Sequence, residues 1–406
     1  MNQQSISQGM SLSRGNRILF ILILGSLSAF GPLSIDMYLP ALPTLAKELH
    51  TSASLAQVSL TACLLGLAFG QVVMGPFSDI RGRKKPLVAA LITYAVASVL
   101  CVFAPSIWIF IVLRFIQGMA GAAGMVISRA SVRDLFSGSD LTKFFSMLML
   151  VNGLAPILAP VAGGQLLTIM SWRGVFGVLA VIGALMFFAV LFGLKETLPL
   201  ERRKEGGLTE VLRTFGVLLK DGVFVGYALA QGFIMSAMFA YISGSTFVLQ
   251  DIYGLSPQMF SFVFAINGFG LIIATQVTGR LAGKIKEATL LMYGLLQAAV
   301  GSVLLVAVIV THMSVILVCI LLFFVVSSVG IVNTTVFSLA MENQASNAGS
   351  ASALLGLLPF LLGAAVAPLV GLGGGQNALP MGIVIMVCDL LALGVYMTLV
   401  RRKTAS

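Results

Sequence analysis

The sequence predicts an all-α membrane protein, with twelve transmembrane helices in two six-helix, pseudo-symmetric bundles. Three observations carry this. Of 406 residues, 58% are hydrophobic and only 9% charged, against ~25% charged in a soluble domain, and the mean hydropathy is +1.04. Apolar runs recur at about 20 residues, the length a helix needs to cross a hydrocarbon core ~30 Å thick, where every backbone polar group must be paired internally. Finally, Lys and Arg collect in alternate connections, as they do in cytoplasmic loops.

In chain order the spans fall near 17–38, 55–75, 86–104, 107–128, 144–167, 174–194, 222–247, 258–279, 289–310, 314–340, 348–371 and 377–400. The first opens behind Arg14 and Arg17 but runs into Asp36-Met-Tyr-Leu-Pro40 without a small-residue cleavage site, so it reads as a retained helix and not a leader. The N-terminal tail and the alternate loops hold 21 of the 24 basic residues, which places both termini in the cytoplasm. The net charge of +10 follows from that topology and from contact with anionic headgroups, so nucleic-acid binding is not needed to explain it. Cys63, Cys101, Cys319 and Cys388 all fall within spans and read as small buried hydrophobes.

Between spans 2 and 3 lies Gly75-Pro-Phe-Ser-Asp-Ile-Arg-Gly-Arg-Lys-Lys-Pro86, the densest charge cluster in a nearly uncharged neighbourhood. Gly75 and Asp79, four apart, share one face of a helix end; Gly82 permits the tight turn before Arg83. Positive charge alone would make this a topological loop, but it does not account for the glycine and aspartate spacing. The pattern resembles the loop between helices 2 and 3 of the major facilitator superfamily, except that Ile80 stands where the family has a basic residue and Arg81 is displaced by one. Leu33-Ser-Ile-Asp-Met-Tyr-Leu-Pro-Ala-Leu-Pro43, at the end of span 1, is similar to the first helix of that superfamily's bicyclomycin- and chloramphenicol-resistance group of drug:proton antiporters. The expected fold is therefore the superfamily's.

Span 4 carries Arg114 some seven residues into the apolar run, with Gln117 one turn on. An arginine at that depth costs roughly 2.5–3.5 kcal/mol on insertion scales and belongs against the bundle interior or water. The resemblance places the proton-coupling arginine here. Span 5 reads Asn152-Gly-Leu-Ala-Pro-Ile-Leu-Ala-Pro-Val-Ala-Gly-Gly164. Pro156 and Pro160 each remove a backbone hydrogen bond, and Gly163 and Gly164 admit a close neighbour, so this helix should be bent and tightly packed. It resembles the antiporter motif of helix 5, with Ala159 where many members have glycine.

The polar segment 195–221 holds six basic and five acidic groups and divides the chain into bundles 1–194 and 222–406. It reads as a cytoplasmic linker with a short amphipathic helix near 208–219 lying on the membrane surface. The second half echoes the first more weakly: Gly279-Arg-Leu-Ala-Gly-Lys284 repeats the loop without its aspartate, and Gln231, Tyr241, Asn267 and Asn333 are its uncharged polar groups. Asp389 in span 12 is a second intramembrane acid with no evident partner.

No nucleophile triad, metal constellation, Walker loop or dinucleotide fingerprint appears, so neither an enzyme nor a primary pump is expected, and no cofactor or metal. What the resemblance implies is a monomeric secondary transporter of a bacterial plasma membrane, whose partners are protons, lipid and a small-molecule substrate. It would export hydrophobic or cationic drugs in exchange for protons by alternating access. Asp36 and Arg114 would be the coupling groups, with Tyr38, Gln117 and Asn152 beside them. Asp36 lies about 27 Å along its helix from Ile18 at ~1.5 Å per residue, so it could instead sit in water at the outer mouth. A proton-coupled metabolite exporter and a non-transporting sensor are the alternatives; a longest loop of 27 residues (195–221) disfavours the sensor. Asp79 is expected to latch onto the N-terminal end of helix 11 near 347–350, since unsatisfied backbone N–H groups there attract an anion.

Overall fold

The computed structural model describes residues 14–401 apart from 137, 204–207, 312, 343, 345–347 and 374–376. The first apolar run is longer and less regular than expected. It forms α1 (Arg14–Ser28), α2 (Phe30–Asp36), a 3-10 turn (Leu39–Ala41) and α3 (Leu42–Glu48), an apolar span that reaches Glu48 instead of ending near residue 38. Proline explains the difference. Pro40 and Pro43 each open a new helical turn, where a missing N–H costs nothing, so the chain restarts at each instead of stopping.

The first half continues through α4 (Ala53–Arg81), α5 (Lys84–Val102), α6 (Ile107–Leu135), α7 (Gly138–Leu166) and α8 (Trp172–Gly193). Ser52 and Ser106 cap α4 and α6 by accepting the backbone N–H of Leu55 and Ile109. After the linker helix α9 (Leu208–Leu218) come α10 (Gly222–Phe247), α11 (Pro257–Leu281), α12 (Glu287–Val310), α13 (Val315–Met341), α14 (Ala348–Val370) and α15 (Leu379–Val395). Asp221 caps α10 through the N–H groups of Val223 and Phe224. Among the described residues, eleven helical spans are long and apolar enough to cross a membrane; the 29-residue α7, with an apolar stretch at Gly153–Leu166, supplies the twelfth.

In the first half α4 packs on α6, and α5 on α6 and α8; in the second α10 packs on α14 and α15, and α13 on α11 and α12. The most extensive contacts between the halves are those of two helix pairs, α4 with α14 and α7 with α11. A duplicated bundle relates α4 to α11 and α7 to α14, so the two contacts are equivalent under the pseudo-twofold. Both α7 and α14 carry two internal prolines, Pro156 and Pro160 in one and Pro359 and Pro368 in the other.

Small residues set the tightest crossings: a Cβ added at Gly66 would meet the carbonyl of Phe115, and one at Gly118 that of Cys63, so α4 and α6 are in backbone contact. Outward-facing Phe69, Phe103, Trp108, Phe188, Phe192 and Ile273 are exposed, which suits side chains solvated by lipid tails. The expectation that α9 simply lies on the membrane surface is modified, because Phe215 and Leu218 are buried with Phe224 and Tyr227 of α10.

Candidate functional site

The break after α2 places Asp36 at a helix end inside the protein, where its side chain is only 3% exposed. Its Oδ1 is buried without a hydrogen-bond partner. Helix α6 delivers Arg114 to the same region, fully buried. The guanidinium donates to the Ser34 carbonyl at 2.6 Å and to Gln117 Oε1, and lies over the Tyr38 ring at 4.3 Å and the Phe176 ring at 5.5 Å.

The network extends outward through neutral groups. Gln117 Nε2 donates to Ser98 Oγ at 2.7 Å, Ser34 Oγ and Tyr94 Oη are 2.8 Å apart, and Tyr38 Oη and Ser59 Oγ 3.2 Å apart. Among the described residues no ion pair joins Arg114 to Asp36. The arginine instead grips the backbone two residues before the acid, so a movement of one is felt at the other. Tyr38 and Gln117 thus belong to the Arg114 network; the side chain of Asn152 lies outside the described residues.

On the second-half side, α10 and α11 pack against the 3-10 turn that follows Asp36, and α10 carries Tyr241. Tyr241 Oη accepts the Asn267 amide at 2.9 Å, and its ring stacks on Phe264 at 5.4 Å between centroids. Asp36 therefore sits where the two bundles face each other.

The antiporter-like helix seals one side of this region. A side chain at Gly163 would run into the carbonyl of Met37, and one at Gly164 would meet Ser261 Oγ and, at 3.2 Å, the Pro257 carbonyl. Ser261 Oγ donates to the Pro160 carbonyl at 2.8 Å, and Gln258 Nε2 to that of Gly164 at 3.0 Å. With Gln57 Nε2 to the Ser243 carbonyl at 3.2 Å, Gln250 Nε2 to that of Pro40 at 3.2 Å, and the 3.4 Å Lys47–Asp251 ion pair, five polar links cross between the halves among the described residues. All lie toward the end opposite the basic loops.

At the basic end, Arg83 is the hub. Though 2% exposed, it pairs with Asp79 at 2.5 Å and with Asp134 at 2.8 Å, and donates to Ser78 Oγ at 2.7 Å. Burial works against its charge, but the Asp134 and Asp79 carboxylates outweigh burial and raise its pKa. Glu196, the first acid of the linker, accepts the backbone N–H groups of Arg83 at 2.8 Å and Lys84 at 3.3 Å, and is 3.9 Å from Arg203. Burial pushes the Glu196 carboxyl up, but the N–H donors of Arg83, Leu198 and Lys84, with Arg203, draw it below the usual range.

Gly82 has φ +86°, and a Cβ there would strike Glu196, so only glycine fits this turn. Gly75 packs ordinarily against Val126, and the displaced Arg81 stacks on the Phe77 ring at 5.2 Å. Asp79 is thus held within its own motif in this conformation; 345–347, at the expected latch, are not among the described residues.

Sequence reasoning missed Asp134, Glu196 and the cross-half donors Gln57, Gln250, Gln258 and Ser261. The two acids carried a signal, being the few negative charges beside the basic loops. The others are single polar residues whose partners are backbone carbonyls, which no pattern in the sequence reveals.

Residues 22–368 match the family model described as Major Facilitator Superfamily. The chain is 46% identical over 373 residues to the MFS-type transporter YdgK of Bacillus subtilis, covering 91% of this chain and 92% of that protein. It is 32% identical to a bicyclomycin resistance protein homolog of Haemophilus influenzae, covering 96% and 98%. It is 27% identical to the multidrug transporter MdfA of Yersinia pestis, covering 99% and 98%. Among solved structures, the nucleoside transporter NupG superposes with a TM-score of 0.76 at 12% identity, covering 94% of this chain and 99% of that one. A D-xylose–proton symporter superposes with 0.74 at 16%, covering 95% and 98%. At such identities these two likenesses speak to the fold alone.

Proposed function

Because the chain belongs to the major facilitator superfamily and is therefore a membrane transporter of small molecules, we propose that it exports apolar or cationic compounds in exchange for protons by alternating access. The observation that carries this is Asp36: an acid buried between the bundles, one oxygen unpartnered, with no cation bound to it among the described residues. A buried carboxylate needs neutralising, and a proton and a substrate cation are two ways to do so that exclude each other. That exclusion is what an exchanger requires. The names of the resistance and multidrug relatives support the choice of substrate class over a metabolite, and the sugar symporter shares only the fold.

In this reading Arg114 and the Ser34 carbonyl couple the state of Asp36 to the backbone of α2, beside the Met37 carbonyl on which Gly163 of α7 rests. The five cross-half links hold the outer end shut, an inward-facing arrangement in which Asp36 exchanges its occupant with the cytoplasm. A transporter works by giving two such arrangements different affinities for the proton and the substrate.

The test is ethidium efflux driven by an imposed pH gradient in everted vesicles. Asp36→Asn is expected to reduce gradient-driven transport to the level of vesicles lacking the protein, because charge and titration vanish together. Transport at the wild-type rate would exclude Asp36 as the coupling group.

A further inference from the structure

The second bundle contains two amide oxygens that the network around Asp36 leaves unused. Gln231, Met235 and Met238 recur at i, i+4 and i+7 on α10 and so share one face. Facing them from α13, Asn333 donates its Nδ2 to Met235 Sδ at 3.1 Å. A thioether accepts and cannot donate, which turns the amide N–H toward the sulfur and leaves the carbonyl oxygen pointing elsewhere. Asn333 Oδ1 and Gln231 Oε1 are both buried and have no donor among the described residues.

Other second-half amides give their N–H groups to protein oxygens, whereas Asn333 gives its own to a sulfur: Gln297 donates to the Phe324 carbonyl and Ser327, Gln258 to the Gly164 carbonyl, and Asn267 to Tyr241. Buried acceptors without donors are rare in native proteins, and each calls for a water, ion or ligand to complete it. Gln231 and Met235, the residue that Asn333 contacts, are one turn apart on α10, ~6 Å along its axis. Neither α10 nor α13 carries a charged residue.

We propose that Gln231 and Asn333 form a substrate-recognition site in the second bundle that accepts hydrogen bonds from N–H or O–H groups of an apolar ligand, with Met235 and Met238 as its adaptable apolar wall. The ligand class is a neutral or cationic molecule bearing at least two such donors. Carboxylates and phosphates, which bring only acceptor oxygens, are disfavoured. Methionine suits such a wall because its flexible thioether fits varied shapes. The inference rests on the export reading and adds to it: Asp36 reads charge from the first bundle, and the amide pair reads donors from the second.

The experiment measures binding to the purified full-length protein in nanodiscs with two probes. Chloramphenicol is neutral and offers two hydroxyls and an amide N–H; tetraphenylphosphonium is cationic and offers none. Gln231→Leu and Asn333→Leu are each expected to raise the Kd for chloramphenicol by about 2- to 12-fold, the value of one neutral hydrogen bond. Tetraphenylphosphonium binding should stay within twofold and so certifies the fold of each variant. Acetylating both hydroxyls of chloramphenicol should weaken its binding to the wild type and leave the double variant indifferent.

Equal weakening of both probes assigns the amides a structural role and overturns the site, as does unchanged chloramphenicol binding. Should a leucine variant not fold, Gln231→Met and Asn333→Met carry the same expectation. A wild type that binds neither probe overturns the export reading itself, whereas one that binds both, with unresponsive variants, overturns only the amide site.

Discussion

Arg83 shows how much one side chain can hold. It joins Asp79, Asp134 and Ser78 through its guanidinium, while its backbone N–H reaches the linker through Glu196. Asp79, with a quarter of its side chain exposed, has that one ion pair among the described residues, whereas Asp134 is only 12% exposed. Removing Arg83 strands a nearly buried carboxylate, a loss of about 3–5 kcal/mol; neutralising Asp79 costs about 1 kcal/mol, as partly exposed pairs do. Arg83→Ala should therefore lower the fraction of protein that stays monodisperse after heating far more than Asp79→Asn. Equal losses would mean that Asp79 has a further partner, such as the N-terminal end of α14, and that Arg83 is not the hub.

At the scale of the element, α7 is the helix whose sequence and packing agree most closely. Two prolines four residues apart lie within it, and Gly163 and Gly164 bring it against α2 and its following residue on one side and α11 on the other. A β-carbon at Gly163 has no room, because its neighbour is a backbone carbonyl that cannot rotate away. Gly163→Leu is expected to destabilise the protein by about 1–3 kcal/mol and to stop transport. Gly177→Leu in α8, where a Cβ meets nothing within 4 Å, should do neither. Thermal inactivation of the two variants, measured side by side in detergent, checks this; similar losses from both would show that the Gly163 contact is not special.

For the whole molecule, the decisive feature is that, among the described residues, the five polar links between the halves lie at the end opposite the basic loops. Each neutral one contributes about 0.5–1.5 kcal/mol. Removing one should shift the balance between the two open states by about 2- to 12-fold. Gln57→Ala and Gln258→Ala are expected to raise, by those factors, outside labelling of a cysteine placed at Ser245, which is buried beside the Ser243 link, by an impermeant maleimide in a background lacking the four native cysteines. A cysteine at Ser5 should remain unlabelled in the same intact cells if the termini are cytoplasmic. Unchanged labelling at Ser245 would show that these bonds do not govern the seal.

The sequence by itself determined that this is a helical membrane protein, its number of spans, the family it belongs to and the two acids and one arginine within the spans. These are matters of composition, periodicity and local spacing, and the constraint that lipid cannot satisfy backbone polar groups leaves few alternatives. Proline and glycine in span 5 were legible for the same reason, since their effects act on their own backbone. Only the tertiary structure decided that the first span restarts twice and reaches Glu48, that Arg114 holds the Ser34 carbonyl and not Asp36, and that Glu196 clasps the turn before α5. It also decided which polar groups stay unpaired. Each of those outcomes depends on residues far apart in the chain meeting a backbone carbonyl or N–H, and every residue offers the same carbonyl. Partner choice of that kind leaves no mark on the sequence.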